Sequence, residues 1–251
     1  MATFISRIHA YLRRARAPHD TPAKQHSSPA SAAKAYRRMP RIALPAPGAL
    51  SVPLHQALGE RASFFECAGG RALTRAELGT LLGNALGMRD GERRRYPSGG
   101  GLFPIETYLI GTVLEGHPPG AFHYQPNAHE LEFLWETPAA FASSDLMRTE
   151  DAPRAPIVIV FTSVWERSAV KYGDFSYLLG LLEAGHMAQN LLLAATALGF
   201  GSRPMAGFDD ERIAALLDLD ESVEQPIYAV LLCPGENGAM RKAPKRETNG
   251  E

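Results

Sequence analysis

The sequence predicts a single α+β domain, on three observations. Tyr177 to Leu198 carries Leu178, Leu181, Leu182, Gly185, Ala188, Leu192 and Ala195 at three- and four-residue spacing, a long helix whose small residues permit close packing. TYLIGTVL (Thr107 to Leu114), PIVIVFTS (Pro156 to Ser163) and PIYAVLLCPGE (Pro226 to Glu236) are short apolar runs rich in β-branched residues, as buried strands are. AFHYQPNAHELEFL places two alternating segments around Pro126-Asn127, the pattern of a hairpin. Helices alternating with a few strands imply a sheet flanked by helices around the long one.

In chain order, residues 1–48 are rich in Pro, Ala, Ser and Arg and read as an arm, with one amphipathic stretch in which Phe4, Ile5, Ile8 and Leu12 share a helix face. The arm carries nine Lys or Arg against the single acid Asp20, in a chain whose net charge is −1, so the body is acidic. It shows neither aromatic interleaving nor a nucleic-acid motif, which favours a solvated arm packing on its own protein or a partner. The domain, residues 49–236, opens with the helical pattern PLHQALGERASFF. Thr74-Arg75-Ala76-Glu77 is a T-x-x-E capping box that starts a helix through Leu78, Leu81, Leu82 and Leu86. RYPSGGGLFPIET follows, with three consecutive glycines that let backbone amides approach a ligand closely. After the strand run Pro156 to Ser163, Lys171-Tyr172 reads as a loop before the long helix, which ends in GFGSRPMAGF. Residues 237–251 are a polar tail.

Composition excludes several classes. Cys67 and Cys233 are far apart and in no CxxC spacing, so no disulfide, zinc site or redox dithiol is indicated and no metal is expected. Neither a membrane-spanning run nor a secretory signal is present, which leads to the expectation of a cytoplasmic protein with no membrane or nucleic-acid partner.

Five segments in order carry a family resemblance: AKAYRRMPRIALP (Ala33 to Pro45), GERAS (Gly59 to Ser63), PSGGGLFPIETY, Lys171-Tyr172, and AGHMAQNLLLAATALGFG followed by MAGF. From about Lys34 to Pro234 the chain resembles the nitroreductase-like flavoproteins, within them the azoline dehydrogenases that act on thiazole/oxazole-modified microcin-type peptides. The resemblance implies a mixed sheet flanked by helices, a homodimer, and FMN at its interface. It implies oxidation of peptide thiazolines or oxazolines to azoles in antibiotic biosynthesis, on an azoline-containing precursor peptide and beside cyclodehydratase subunits.

Under that resemblance, Arg61 and Ser63 suit the flavin phosphate and the donors needed near the pyrimidine edge, since a guanidinium fork matches phosphate oxygens. Arg241 or Lys242 would add a second phosphate contact. Pro97, Ser98 and Gly99 would line the flavin, the Ser98 hydroxyl donating to a ring carbonyl, and the main chain of Ala206 and Gly207 would face N5. Many relatives have an acid where Ala206 stands, a change that a backbone contact tolerates. Gln189 is favoured over His186 and Asn190 as the helix residue near the flavin. Lys171 and Tyr172 resemble the pair to which this branch assigns catalysis, with a buried lysine serving as neutral base. Two alternatives stand beside this reading: an NAD(P)H-dependent nitro- or quinone reductase, and a non-catalytic scaffold subunit of a peptide-modifying complex.

Overall fold

The computed structural model describes residues 4–15, 33–67, 70–138, 141–149 and 152–235, and the backbone of Met240–Arg241. Its helices are α1 (Phe4–Ala15), α2 (Leu54–Glu60), α3 (Arg75–Leu86), α4 (Glu166–Tyr172), α5 (Phe175–Ala197) and α6 (Asp210–Leu217). Its strands are β1 (Arg41–Ala43), β2 (Glu66–Cys67), β3 (Ile105–Gly111), β4 (Gly120–Gln125), β5 (Glu130–Glu136), β6 (Ile157–Val164), β7 (Gly201–Met205), β8 (Glu224–Cys233) and β9 (Met240–Arg241). Seven strands form one sheet in the order β1-β5-β4-β3-β6-β8-β7. Every ladder of that sheet is antiparallel, so the parallel part of the expected mixed sheet is confined to single bridges such as Ser63–Ser202.

The strands alternate between two cores, as side chains on a pleat must. Ile105 and Leu109 of β3, Ile157, Ile159 and Phe161 of β6, and Val230 and Leu232 of β8 face α3 and α5. Tyr108, Ile110, Val158, Val160, Ala229 and Leu231 face the other way, toward Ile213 and Leu217 of α6. Because both faces are covered, the central strands read as continuous apolar runs instead of alternating ones. The capping box forms as written: Glu77 N donates to Thr74 Oγ1 at 3.2 Å and Thr74 N to Glu77 Oε2 at 2.9 Å. The hairpin around Pro126-Asn127 joins β4 to β5.

The structure corrects three expectations. Residues 33–48 are part of the domain: β1 pairs with β5, Lys34 Nζ meets Glu224 at 2.7 Å, and Tyr36 N donates to Glu132 at 3.0 Å. Composition hid this, because the cations of the segment answer buried acids far away in sequence. Lys171-Tyr172 closes helix α4 and not a loop, and Gly173, at φ 52°, ends that helix.

The third correction concerns the cysteines, which form a disulfide across 166 residues with a Cα–Cα distance of 5.8 Å. It joins β2 to the end of β8, and spacing in sequence could not reveal it. Titration of the unreduced, denatured protein should therefore find no free thiol, and Cys67→Ser should lower stability by about 2–4 kcal/mol in denaturant unfolding.

Candidate active site

The PSGGG segment leaves Ser98 extended and then makes a tight 3-10 turn over Gly99–Gly101. Gly100 and Gly101 have φ of 65° and 67°, where side chains are strained. Space makes the same demand at Gly100, because a Cβ there would lie 2.7 Å from Tyr172 Oη and 2.9 Å from Lys171 Nζ. The glycine turn and the Lys-Tyr pair, separate in sequence, are thus in contact. Gly99 lies against Leu179 of α5, and Pro97 is exposed.

Arg167 anchors α4, the helix that carries the pair. It pairs with buried Glu106 at 2.5 Å and donates to the Phe103 carbonyl at 3.1 Å, tying α4 to β3 and to the turn. Trp165 packs on Tyr177, with Gly180 beneath its ring. Tyr172 is half-buried, and its ring centroid lies 5.3 Å from Lys171 Nζ. Lys171 itself is exposed, so the buried lysine expected from the sequence is corrected: the single chain does not desolvate this amine.

Beneath the turn lies a polar group that the sequence reading missed. Glu183 of α5 is 2% exposed and accepts from Ser98 Oγ at 2.5 Å, while Ser98 Oγ accepts from Phe103 N at 2.9 Å. With Glu183 ionised, the Ser98 proton is directed at Glu183 and not outward to a ligand. Burial pushes the Glu183 carboxyl up to about 7, against the opposite pull of Ser98, Arg94 and Arg167. Among the described residues, Glu183 Oε1 and the Nε and Nη2 of buried Arg94 have no hydrogen-bond partner. Arg94 Nη1 donates to Tyr96 at 2.6 Å, and its guanidinium lies over the Phe103 ring. Glu183 could not be singled out from helical spacing, since an acid in an early turn of a helix ordinarily faces water.

Of the remaining predicted residues, Ser63, Ala206 and Gly207 lie next to β7, and the others do not join them. Arg61 is half-buried at the end of α2, and Ser63 bridges Ser202 at the start of β7. Arg203, which the sequence reading did not consider, stacks on Phe65 at 4.5 Å beside them. Ala206 and Gly207 follow β7 directly, Ala206 exposed and the Gly207 carbonyl accepting from Arg148 N at 2.9 Å. The Arg241 backbone in β9 pairs with Glu66, three residues after Ser63, and Lys242 lies outside the described residues. Gln189 and His186 are exposed on α5. Asn190 instead donates to the carbonyls of Ala85 and Arg95, a structural tie between α5 and the end of α3.

Comparison with known proteins gives this geometry a context. Residues 70–235 match the model of the nitroreductase family. Over 165 residues the chain is 32% identical to the nitroreductase-named protein MJ1384 of Methanocaldococcus jannaschii, covering 64% of this chain and 80% of that one. It is homologous to the microcin B17-processing protein McbC of Escherichia coli, at 32% identity over 59% of this chain and 57% of McbC. It is also homologous to the trifolitoxin-processing protein TfxB of Rhizobium leguminosarum, at 29% identity over 58% of this chain and 40% of TfxB. The match thus spans little more than half of McbC and less than half of TfxB. Among solved structures, the E. coli microcin synthetase McbBCD complex with truncated pro-MccB17 bound aligns with TM-score 0.61 and 27% identity, over 70% of each chain. A nitroreductase-type protein of Ralstonia eutropha aligns with TM-score 0.67 and 25% identity, over 78% of this chain and 89% of that one. With the family model covering most of the domain and the same fold in these relatives, the chain belongs to the nitroreductase family.

Proposed function

We propose that the chain is an FMN-dependent dehydrogenase that oxidises thiazolines or oxazolines of a ribosomally made peptide to the aromatic azoles. The observation that carries this reading is the seating of Lys171 Nζ and Tyr172 Oη against Gly100, within a chain homologous to two peptide-processing proteins. The residues present fit FMN. Gly100 and Gly101 open a turn free of side chains, and Arg61, Ser63 and Arg203 gather cationic and hydroxyl donors suited to a phosphate. Arg241 remains the second phosphate candidate, and Pro97, Ser98, Gly99, Gln189, Ala206 and Gly207 the remaining contacts. Bound FMN would accept the hydride lost from one azoline carbon, with dioxygen as its reoxidant.

The chain's own task is then the proton. Lys171, as neutral amine, takes the proton from the neighbouring ring carbon, and the half-buried Tyr172 hydroxyl orients the ring or shares the transfer. Since Lys171 is exposed in the single chain, the bound peptide is what covers it and strips its water. Incubating the purified chain and FMN with an azoline peptide under air tests the reading: each ring should lose two hydrogens by mass spectrometry. Unchanged peptide with and without the cognate cyclodehydratase would refute it.

The McbBCD similarity supports work beside cyclodehydratase subunits on a precursor peptide, and the cytoplasm is proposed as its location from the sequence reading alone. There the Cys67–Cys233 pair would face a reducing pool, and the thiol titration above reports its state. A homodimer is part of the same reading. Tyr177, Leu181 and Leu182 stand exposed on α5, and Leu54 and Leu58 stand exposed on α2, which packs on α5. Leu182, 51% exposed, gains nothing from the single chain's core. Leu182→Arg should therefore leave folding intact but give a monomer by light scattering, with flavin retention reduced.

The similarity to MJ1384 favours a second reading, an NAD(P)H-dependent nitro- or quinone reductase. Steady turnover of NADH with a nitroarene, without any peptide, would support that alternative. A non-catalytic scaffold would keep azole formation intact in Lys171→Ala while loss of the whole subunit abolished it.

A further inference from the structure

Ser98 has one hydroxyl hydrogen and two lone pairs. Phe103 N occupies one lone pair at 2.9 Å, and Glu183 Oε2, at 2.5 Å, lies where the hydrogen must go if the carboxylate is charged. In that state Ser98 offers a ligand only its remaining lone pair, which repels a carbonyl oxygen. A protonated Glu183 reverses the arrangement: its O–H donates to the second lone pair, and the serine hydrogen becomes free to point outward.

We propose that Glu183 is a positioning residue that works as a neutral acid, donating to Ser98 Oγ so that the Ser98 hydroxyl can donate to a ring carbonyl of the bound flavin. This rests on the FMN reading and deepens it. The surroundings support a neutral Glu183. Among the described residues, Ser98 is its one hydrogen-bond partner and Oε1 has none. Neither charged group that faces it hydrogen-bonds to it: Arg94 spends Nη1 on Tyr96 and leaves Nε and Nη2 without a partner among the described residues, and Arg167 from α4 bonds Glu106 of β3 and the Phe103 carbonyl. Buried Tyr96 is also near, and its phenol is pushed up by burial and stays neutral. Burial therefore prevails over the two guanidinium groups at Glu183, and the carboxyl titrates near neutrality.

If only the protonated form positions Ser98 for the ring, apparent FMN affinity falls as pH rises through the Glu183 value. The expected weakening approaches about tenfold for each pH unit above about 7, because the competent fraction falls in that proportion. Glu183→Gln replaces the titrating acid with an amide whose NH2 is available to donate to Ser98 at every pH, and should hold the tight-binding limit with this dependence removed. Ser98→Ala should bind weakly at all pH values.

Titrating FMN into the flavin-free protein from about pH 6 to about pH 9, by flavin fluorescence, tests the proposal. Riboflavin serves as a parallel ligand because the FMN phosphate itself titrates near pH ~6. Wild-type binding that weakens with pH while Glu183→Gln stays flat is the expected result. Parallel pH curves for the two proteins, with flavin bound, would overturn the role of Glu183 and leave the FMN reading standing. No binding of either flavin at any pH would overturn both. A calorimetric measurement on the wild type alone covers a misfolded variant: riboflavin binding at about pH 8 should take up close to one proton, and proton-neutral binding there overturns the proposal.

Discussion

Lys171→Ala should lower azole formation by roughly a hundred- to ten-thousandfold, the range that a positioned general base contributes. FMN content and thermal midpoint should stay at wild-type values, because Lys171 is exposed and its loss leaves no cavity or unpaired buried group. Tyr172→Phe should cost less if the hydroxyl only orients the ring and as much if it shares the proton transfer. Single-turnover flavin reduction by an azoline peptide measures the step directly. Reduction at wild-type rate in both variants would remove the pair from the chemistry and return the scaffold reading to first place. A related effect is expected at Gly100→Ala: φ there is 65° and the added Cβ would collide with the Lys171 and Tyr172 heads, so the pair should be displaced and activity lost while the core is untouched.

The second large effect concerns stability. Buried Glu106 accepts from Lys34 N at 2.7 Å, pairs with Arg167 at 2.5 Å and meets His123 Nε2 at 3.1 Å. His123 Nδ1 faces buried Glu132 at 2.8 Å. With a carboxylate at each ring nitrogen, His123 is held doubly protonated. Glu106→Ala would remove the carboxylate that buried His123 shares with half-buried Arg167, leaving His123 with Glu132 alone, and breaking this buried pairing costs about 3–5 kcal/mol. It would also release Arg167, the anchor of the helix that carries Lys171, so activity should fall together with stability.

The pH dependence follows from opposite shifts within this network. Burial alone would raise the Glu106 carboxyl, but His123, Arg167 and the Lys34 amide outweigh it and hold the group at about 2. A depressed carboxyl stabilises the fold above its ordinary range, and that stability is lost as pH falls from about 4.5 toward about 2. Burial alone would lower His123, but Glu106 and Glu132 outweigh it and raise the group. Its contribution is full below the ordinary histidine value and is lost as pH climbs through the elevated one. Urea midpoints against pH should thus fall at both ends, and Glu106→Gln should flatten the acid limb. An unaltered acid limb in that variant would remove Glu106 as its source.

Much of this was legible in the sequence because it is written over short spans. The Thr74–Glu77 box, the Pro126-Asn127 hairpin and the existence of α5 each follow from spacings of a few residues, which helical and strand periodicity fix locally, whereas the buried face of α5 did not, since Leu181, Leu182 and Gly185 of the expected stripe are exposed. The candidate site was legible as segments: PSGGG, Lys171-Tyr172 and Ser63 each carry chemistry in their residue types. Their grouping was not. Arrangement in space decided that Lys34 and Tyr36 belong to the domain, that Cys67 pairs with Cys233, and that Lys171 is exposed while Glu183 is buried. The reason is physical. A side chain's burial and its electrostatic partners depend on strand register and helix packing between residues tens to hundreds of positions apart, whereas periodicity constrains only near neighbours. The sequence alone therefore determined the kinds of elements and the chemistry each segment carries, and the tertiary structure decided which groups meet and with which protons.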